Sequence, residues 1–374
     1  MTKEEDTIFV TCGPGLEELL AAELQRLGCL FLKEGFRGVY VDEASLEDCC
    51  RINYCSRIAT RVLWPLVRFK CNNRDALYKA ALDIPWEKIV NKRATIAIDS
   101  NVTNNNQFNN SHFAGLVVKD ALCDRLRDLR GERPSVNIEE PDVQINLHVS
   151  GYHGTIYLDT SGIPLHKRGY RLDGGMAPLQ ENLAAAILQL IGYDGSGVLC
   201  DPLCGSGTFL AEAALMATGT APGFLRTKWG FMNHPHFKQE EWLKLKNTID
   251  RLRRPLAKNS ILGVDCNSSV IQICKKNLRA AGFHNDIQVE HTDFTETSFK
   301  GPIKWIVANP PYDRRLSSGP QAGQLYSLLS QFIALRKPEN YGVLIPSESK
   351  EKWSGSQSIK LSNGGFPIQL LTRK

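Results

Sequence analysis

The sequence lacks any apolar run long enough to cross a bilayer. Its longest, Leu183 to Ile191, is broken by Gln189 and falls short of the roughly 18 residues a spanning helix needs. No basic-then-apolar leader precedes residue 10, so a cytoplasmic protein is expected. There is no Cys-x-x-Cys pair among the 11 cysteines and, apart from His234 and His236, no clustering of the 8 histidines, which argues against zinc and for free thiols. Nor is there a strong charge of either sign. The net +5 divides into −4 for residues 1–165 and +9 for the remainder, so bulk charge does not mark the amino half as a nucleic-acid binder. What remains is a 374-residue, 42% hydrophobic chain, long enough for two or three domains with buried cores.

Three short apolar segments each end in a residue suited to chemistry. The first, Trp305-Ile306-Val307-Ala308, closes on Asn309, Pro310, Pro311 and Tyr312. Prolines fix φ and cannot donate to a sheet ladder, so the pair ends a strand and holds its carbonyls in a set direction. The Asn309 side-chain oxygen and the Pro310 carbonyl would accept the two hydrogens of an exocyclic amine, a poor nucleophile because its lone pair is delocalised, while Tyr312 stacks on the base. An Asn-Pro turn after a buried strand is the plainer alternative. The second segment, Val198 to Asp201, runs into Pro202-Leu203-Cys204-Gly205-Ser206-Gly207-Thr208 and a helical pattern to Ala217. This is a strand, a glycine loop and a helix start, as in dinucleotide-binding turns, but the loop is not Gly-x-Gly-x-x-Gly. Asp201 at the strand end would repel a pyrophosphate and suits a ligand carrying an ammonium group, such as S-adenosylmethionine. Pro202, Cys204, Gly205, Ser206, Gly207 and Thr208 are therefore candidate cofactor contacts, although Cys200 and Cys204 themselves read as small packing residues. The third segment, Ser260 to Asp265, places Asp265 to bond two ribose hydroxyls, and Asp293, after Val289 to Thr292, would accept from an adenine amino group. An acid interacting with a helix dipole is the alternative for Asp265.

Their order and spacing resemble those of class I S-adenosylmethionine-dependent methyltransferases directed at amino groups. With Pro178 to Ala186, Leu165-His166-Lys167-Arg168-Gly169-Tyr170-Arg171, Ala221-Pro222-Gly223 and Lys228-Trp229-Gly230-Phe231, the chain is similar to the bacterial 23S ribosomal RNA guanine-N2 methyltransferases carrying a THUMP domain. Gly13 to Leu20 and Ser56 to Val62 extend the likeness to nearly the whole chain. The resemblance implies that Asp201 and Gly205 line the methionine end of the cofactor, Asp265 its ribose, Asp293 its adenine, and Asn309 to Tyr312 the target amine. Several relatives have a small turn after Tyr312; here Asp313-Arg314-Arg315 follows, which makes both arginines candidate phosphate contacts. In larger members of the family a second methyltransferase domain follows in the same polypeptide.

The expected fold is α/β: a doubly wound, Rossmann-like class I methyltransferase domain (178–374) behind an α+β RNA-binding region, ferredoxin-like over 1–65 and THUMP over 66–160, with a connector over 161–177. Strands are expected at 38–41, 95–99, 143–150 and 154–159, and helices at 111–129, 209–217 and 268–280. An insertion over 219–258 near the strand ends makes Trp229 and Phe231 candidates for shaping the base pocket. RNA contacts are expected from an acid-free stripe carrying Arg51, Arg57, Arg61, Arg68, Lys70 and Arg74 among Tyr54, Trp64 and Phe69, and from Lys167, Arg168 and Arg171. The loop from Asn104 to Asn110 is expected to be mobile or RNA-facing. The expected activity is methylation of guanine N2 in RNA, with 23S ribosomal RNA as the substrate that the family likeness implies. Transfer RNA guanine, DNA adenine and a protein glutamine amide are the rival acceptors, and a non-catalytic assembly factor is the rival of another class.

Overall fold

The computed structural model describes residues 7–108, 110–172, 179–311, 320–349, 351 and 353–373. It divides into two compact units: 1–12, 20–165 and 226–247 form one, and 13–19, 166–225 and 248–374 form the other.

The first unit is built on a seven-stranded sheet in the order β2-β3-β1-β4-β7-β6-β5. Its amino-terminal part is β1 (Ile8–Thr11), α1 (Glu17–Arg26), β2 (Phe31–Gly35), β3 (Gly38–Asp42), α2 (Leu46–Cys55) and β4 (Arg61–Lys70). This is the ferredoxin-like βαββαβ arrangement: β3 lies antiparallel between β1 and β2, and β1 antiparallel between β3 and β4. Alternation explains the layering, since Ile8 and Val10 are buried while Phe9 and Thr11 are half-buried on the other side of β1. α2 starts at a capping box in which the Ser45 hydroxyl accepts from the Asp48 amide and the Asp48 carboxylate from the Ser45 amide.

The rest of the sheet comprises α3 (Arg74–Leu82), β5 (Ile96–Thr103), α4 (Ser111–Arg130), β6 (Val143–Ser150) and β7 (His153–Asp159). β5 and β6 run parallel, which requires the crossover that α4 supplies, and β7 pairs antiparallel with both β6 and β4. Trp86, Val117, Leu122, Ile145, Leu147, Ile156 and Leu158 fill the core between these helices and strands. β4 continues through residues 65 and 66, where a boundary was expected, and bulges between Pro65 and Val67. The asparagine loop is internally bonded: Asn105 donates to Gly151 O at 2.7 Å and accepts from the Gln107 and Phe108 amides, and Asn110 caps α4. Asn109 lies outside the described residues.

The second unit holds α5 (Glu181–Leu190), β8 (Leu199–Asp201), α6 (Thr208–Ala217), the last three residues of α7 (Gln239–Asp250, whose residues 239–247 belong to the first unit), β9 (Ile261–Asp265), α8 (Ser268–Ala281), β10 (Gln288–His291), β11 (Trp305–Ala308), α9 (Pro320–Arg336), β12 (Asn340–Pro346), β13 (Ser356–Asn363) and β14 (Phe366–Arg373). Its sheet runs β10-β9-β8-β11-β12-β14-β13. β10, β9, β8, β11 and β12 are parallel, and β14 enters antiparallel between β12 and β13. The inner parallel strands are apolar runs because both faces are covered: all four residues of β11 are buried, as are the first four of β9, whereas edge strand β10 is half-buried and polar. From β8 the chain winds outward to β9 and β10 on one side, and β11 and β12 lie on the other. The switch in strand order therefore falls between β8 and β11, and its carboxyl-terminal edge is where open α/β sheets bind ligands. No helix among the described residues is long and apolar enough to cross a membrane, and no group of three or more metal-ligating side chains occurs among them.

Candidate active site

Four residues picked out from sequence come to that edge on four adjacent parallel strands. Asp201 is the last residue of β8, Asp265 the last of β9, Asp293 follows β10 by two residues and Asn309 follows β11 by one. Asp201, Asp265 and Asn309 sit where a short buried strand leaves the core, whereas Asp293 follows a strand that is only half-buried.

The loop after β8 is tied on both sides. The Cys204 amide donates to Val264 O at 2.9 Å, Gly205 N donates to the Asp265 carboxylate at 3.1 Å, and Gly207 N to Cys204 O at 2.8 Å. Gly207 caps α6 in the left-handed region, φ +83°, and a Cβ there would stand 2.7 Å from the Cys274 sulfur, so no other residue fits without displacement. Gly205 is also left-handed, φ +53°, but a Cβ on it would meet only Leu203 O at 4.0 Å; the space in front of it is open. α6 thus presents its first amides behind a loop that lets a ligand approach the backbone.

Asp201 is 1% exposed and accepts from Leu203 N at 3.1 Å. Burial holds its carboxyl well above the usual carboxylate range, and the neighbouring Asp265 raises it further. Asp265 accepts from Asn267 N at 2.9 Å as well as from Gly205 N. Two carboxyls this close, one of them buried, disfavour a phosphate and favour a ligand bringing an ammonium group to one and hydroxyls to the other. S-adenosylmethionine fits that donor and acceptor set.

Several expected contacts take other roles. The Cys204 side chain points inward, its sulfur 3.2 Å from where a Gly263 Cβ would stand, so only its backbone faces the loop. The Thr208 hydroxyl accepts from Arg171 at 3.0 Å. One oxygen of Asp293 accepts from the Thr295 amide and hydroxyl at 2.9 and 2.7 Å, capping a short turn, which leaves the other for an adenine. Pro202 and Pro310 are buried, Ser206 and Asn309 half-buried, and Pro311 exposed. Tyr312, Arg314 and Arg315 lie outside the described residues.

The cationic stripe divides sharply. Arg68 and Lys70 are exposed, as is Lys167. Arg51 is spanned by Glu47 and Asp48 at 2.5 and 2.6 Å, and Arg61 is bonded to the buried Asp159 and to Gly162 O. Arg57 is half-buried. Arg168, 2% exposed, lies 3.5 Å from Glu212, which also accepts from Tyr170 at 3.0 Å. Arg171 is committed to Glu181, Leu179 O and Thr208. Arg168 and Arg171 are therefore internal struts rather than phosphate contacts. The same holds for Trp229 and Phe231, expected at the base pocket. They stack at 5.5 Å within the first unit, joined edge-on by Trp242 at 6.2 and 5.0 Å and by Tyr54 at 6.2 Å from Trp229. Both are at most 4% exposed. Nothing in their sequence neighbourhood signals that segment 226–247 leaves the unit that flanks it.

The strand order, the antiparallel β14 and the acid-tipped strands define the class I S-adenosylmethionine-dependent methyltransferase fold. Comparison with known proteins narrows this. Residues 7–63 match the RlmL ferredoxin-like domain, 71–159 the THUMP domain and 168–352 the RMKL-like methyltransferase domain. A putative RNA methyltransferase of Synechocystis is 35% identical over 97% of this chain and 95% of its own length. The ribosomal RNA large subunit methyltransferase K/L of Syntrophotalea carbinolica is 38% identical over 86% of this chain, but the match covers 46% of that protein. The chain spans about half the length of the K/L relatives it matches. Among solved structures, a predicted N6-adenine-specific DNA methylase from Listeria monocytogenes superposes with a TM-score of 0.83 at 26% identity over 98% of this chain and 96% of that one. SMU.472, a putative methyltransferase complexed with SAH, gives a TM-score of 0.85 at 23% identity over 100% and 98%. The chain belongs to the family of THUMP-bearing, RMKL-like methyltransferases.

Proposed function

We propose that this chain is an RNA methyltransferase that transfers a methyl group from S-adenosylmethionine to the exocyclic N2 of a guanine in 23S ribosomal RNA, in the cytoplasm. The observation that carries the reading is the placement of Asp201, Asp265, Asp293 and Asn309 at the carboxyl ends of four neighbouring parallel strands. Domains at 1–65, 66–160 and 178–374, joined by 161–177, complete it, with the excursion 226–247 lent to the first compact unit.

When bound, the cofactor supplies an electrophilic methyl carbon on its sulfonium. The protein supplies position. Asp201 and Gly205 hold the amino-acid end and Asp265 the ribose; Asp293 accepts from the adenine through its remaining oxygen. The Asn309 side-chain oxygen and Pro310 carbonyl would accept the two hydrogens of the target amine and so orient its lone pair, and Tyr312 would stack on the flipped base. No strong base is required, because rate comes from alignment and exclusion of water.

Labelled cofactor incubated with 23S ribosomal RNA, transfer RNA, DNA and release factors separates the candidate acceptors. Label recovered as N2-methylguanine in 23S RNA supports the proposal; label confined to DNA adenine or protein glutamine refutes the substrate, and absence of SAH binding refutes the enzyme. Asn309→Ala should lower single-turnover transfer by at least about a hundredfold while changing SAH affinity less than about threefold. Full turnover by that variant would remove Asn309 from its role.

A further inference from the structure

Two adjacent residues near the start of the methyltransferase domain connect to the second half of the glycine loop, Arg171 directly at Thr208 and Leu172 through Asn277 at Ser206. Arg171 Nη2 donates to Thr208 Oγ1 at 3.0 Å and to Leu179 O at 2.7 Å, while its Nε donates to Glu181 at 2.9 Å, so one guanidinium links the starts of α5 and α6. The next residue, Leu172, donates its amide to Asn277 Oδ1 at 3.0 Å. Asn277, on α8 and 1% exposed, donates through Nδ2 to Ser206 O at 3.0 Å. The carboxamide therefore bridges the upstream segment and the loop, with its acceptor used on one and its donor on the other. A buried carboxamide serving two backbone groups is costly to misplace, since any shift strands a carbonyl or an amide.

We propose that Asn277 and Arg171 form a clasp that sets the orientation of the glycine loop, making both of them positioning residues for the cofactor. The Asp265 and Val264 bonds act on Gly205 N and Cys204 N and leave the Ser206 carbonyl to be held by Asn277. The clasp adds a constraint on Ser206 and Thr208 beyond those bonds. Both act through protein atoms: the Asn277 carboxamide bonds Leu172 N and Ser206 O, and Arg171 Nε and Nη2 bond Glu181, Leu179 O and Thr208, while Nη1 is buried without a hydrogen-bond partner among the described residues. The role rests on the assignment of the 201–208 loop to the cofactor.

The test is calorimetry of SAH binding to the full chain without RNA, joined to steady-state methyl transfer. Asn277→Ala should raise the SAH dissociation constant about tenfold and the cofactor KM in parallel, with kcat changed less than about threefold and the thermal midpoint lowered by several degrees. Arg171→Lys, which keeps the charge beside Glu181 but loses the fork to Thr208 and Leu179, should weaken SAH binding by a smaller factor. The double variant should fall short of the product of the two, because both act on one loop. If Asn277→Ala does not fold, Arg171→Lys decides. Unaltered SAH affinity in a folded variant overturns the clasp, as does a fall in kcat with affinity intact. A wild-type chain that binds no SAH would instead overturn the loop assignment.

Discussion

At the scale of the residue, Asp201 sets function against stability. Its carboxyl binds a proton more tightly in the folded chain than in the unfolded one, so folding stability falls as pH rises from the ordinary carboxylate value through the raised folded one. Asp201→Asn should therefore raise the thermal midpoint of the ligand-free protein at neutral pH and abolish tight SAH binding. Wild-type binding should strengthen with pH over the same window and release a proton, seen as a buffer-dependent calorimetric enthalpy. His234 works in the other direction. Burial, aided by His236, pushes its imidazole down to about 4, and its ring meets Trp64 edge-on at 4.8 Å. Stability present above the ordinary histidine range should decline as pH falls toward 4, and His234→Phe should flatten that decline in urea midpoints measured at pH 7 and pH 5.

At the scale of the element, the aromatic cluster of segment 226–247 is core. Phe231→Ala should cost about 3–5 kcal/mol in chemical denaturation and leave SAH affinity within about twofold, whereas a wall of the base pocket would show the reverse. The elements that sequence makes legible are those with strong periodicity or a sharp end. β6 and β11 have the expected limits, and α4 and α8 each run one residue further than expected. Asp201, Asp265 and Asn309 are visible because a short apolar strand followed by one polar residue is itself a pattern. β2 is not, because it is mostly exposed and shows no clean alternation. The β13–β14 hairpin does carry a local signal: Asn363 pairs with Phe366 across Gly364-Gly365, both at positive φ, which a two-residue turn of the favoured hand requires. Asn277 and the buried Arg168 have no local signal at all. A lone polar residue in a helix and a basic residue in a cationic run read as solvent-facing until the partner elements are known.

At the scale of the whole molecule, RNA affinity should depend on the cations that remain exposed rather than on the length of the basic stripe. Neutralising Arg68, Lys70 and Lys167 together should reduce the slope of log affinity against log salt by up to about 0.7–0.9 for each phosphate no longer neutralised, whereas Arg51→Ala should leave it nearly unchanged because Glu47 and Asp48 already engage that side chain. Filter binding across a salt series reads this directly. A slope insensitive to the triple change would move the RNA path elsewhere on the protein.

The first unit is discontinuous in sequence: 226–247 belongs to it although 166–225 intervenes. A single scissile point near 165 would thus not yield two autonomous fragments. Expressed alone, residues 1–165 would leave Tyr54 without Trp229 and Trp242, exposing an oily scar and favouring inclusion bodies. Gene dissection would have to graft the excursion back through a short artificial bridge before either half could be handled in isolation.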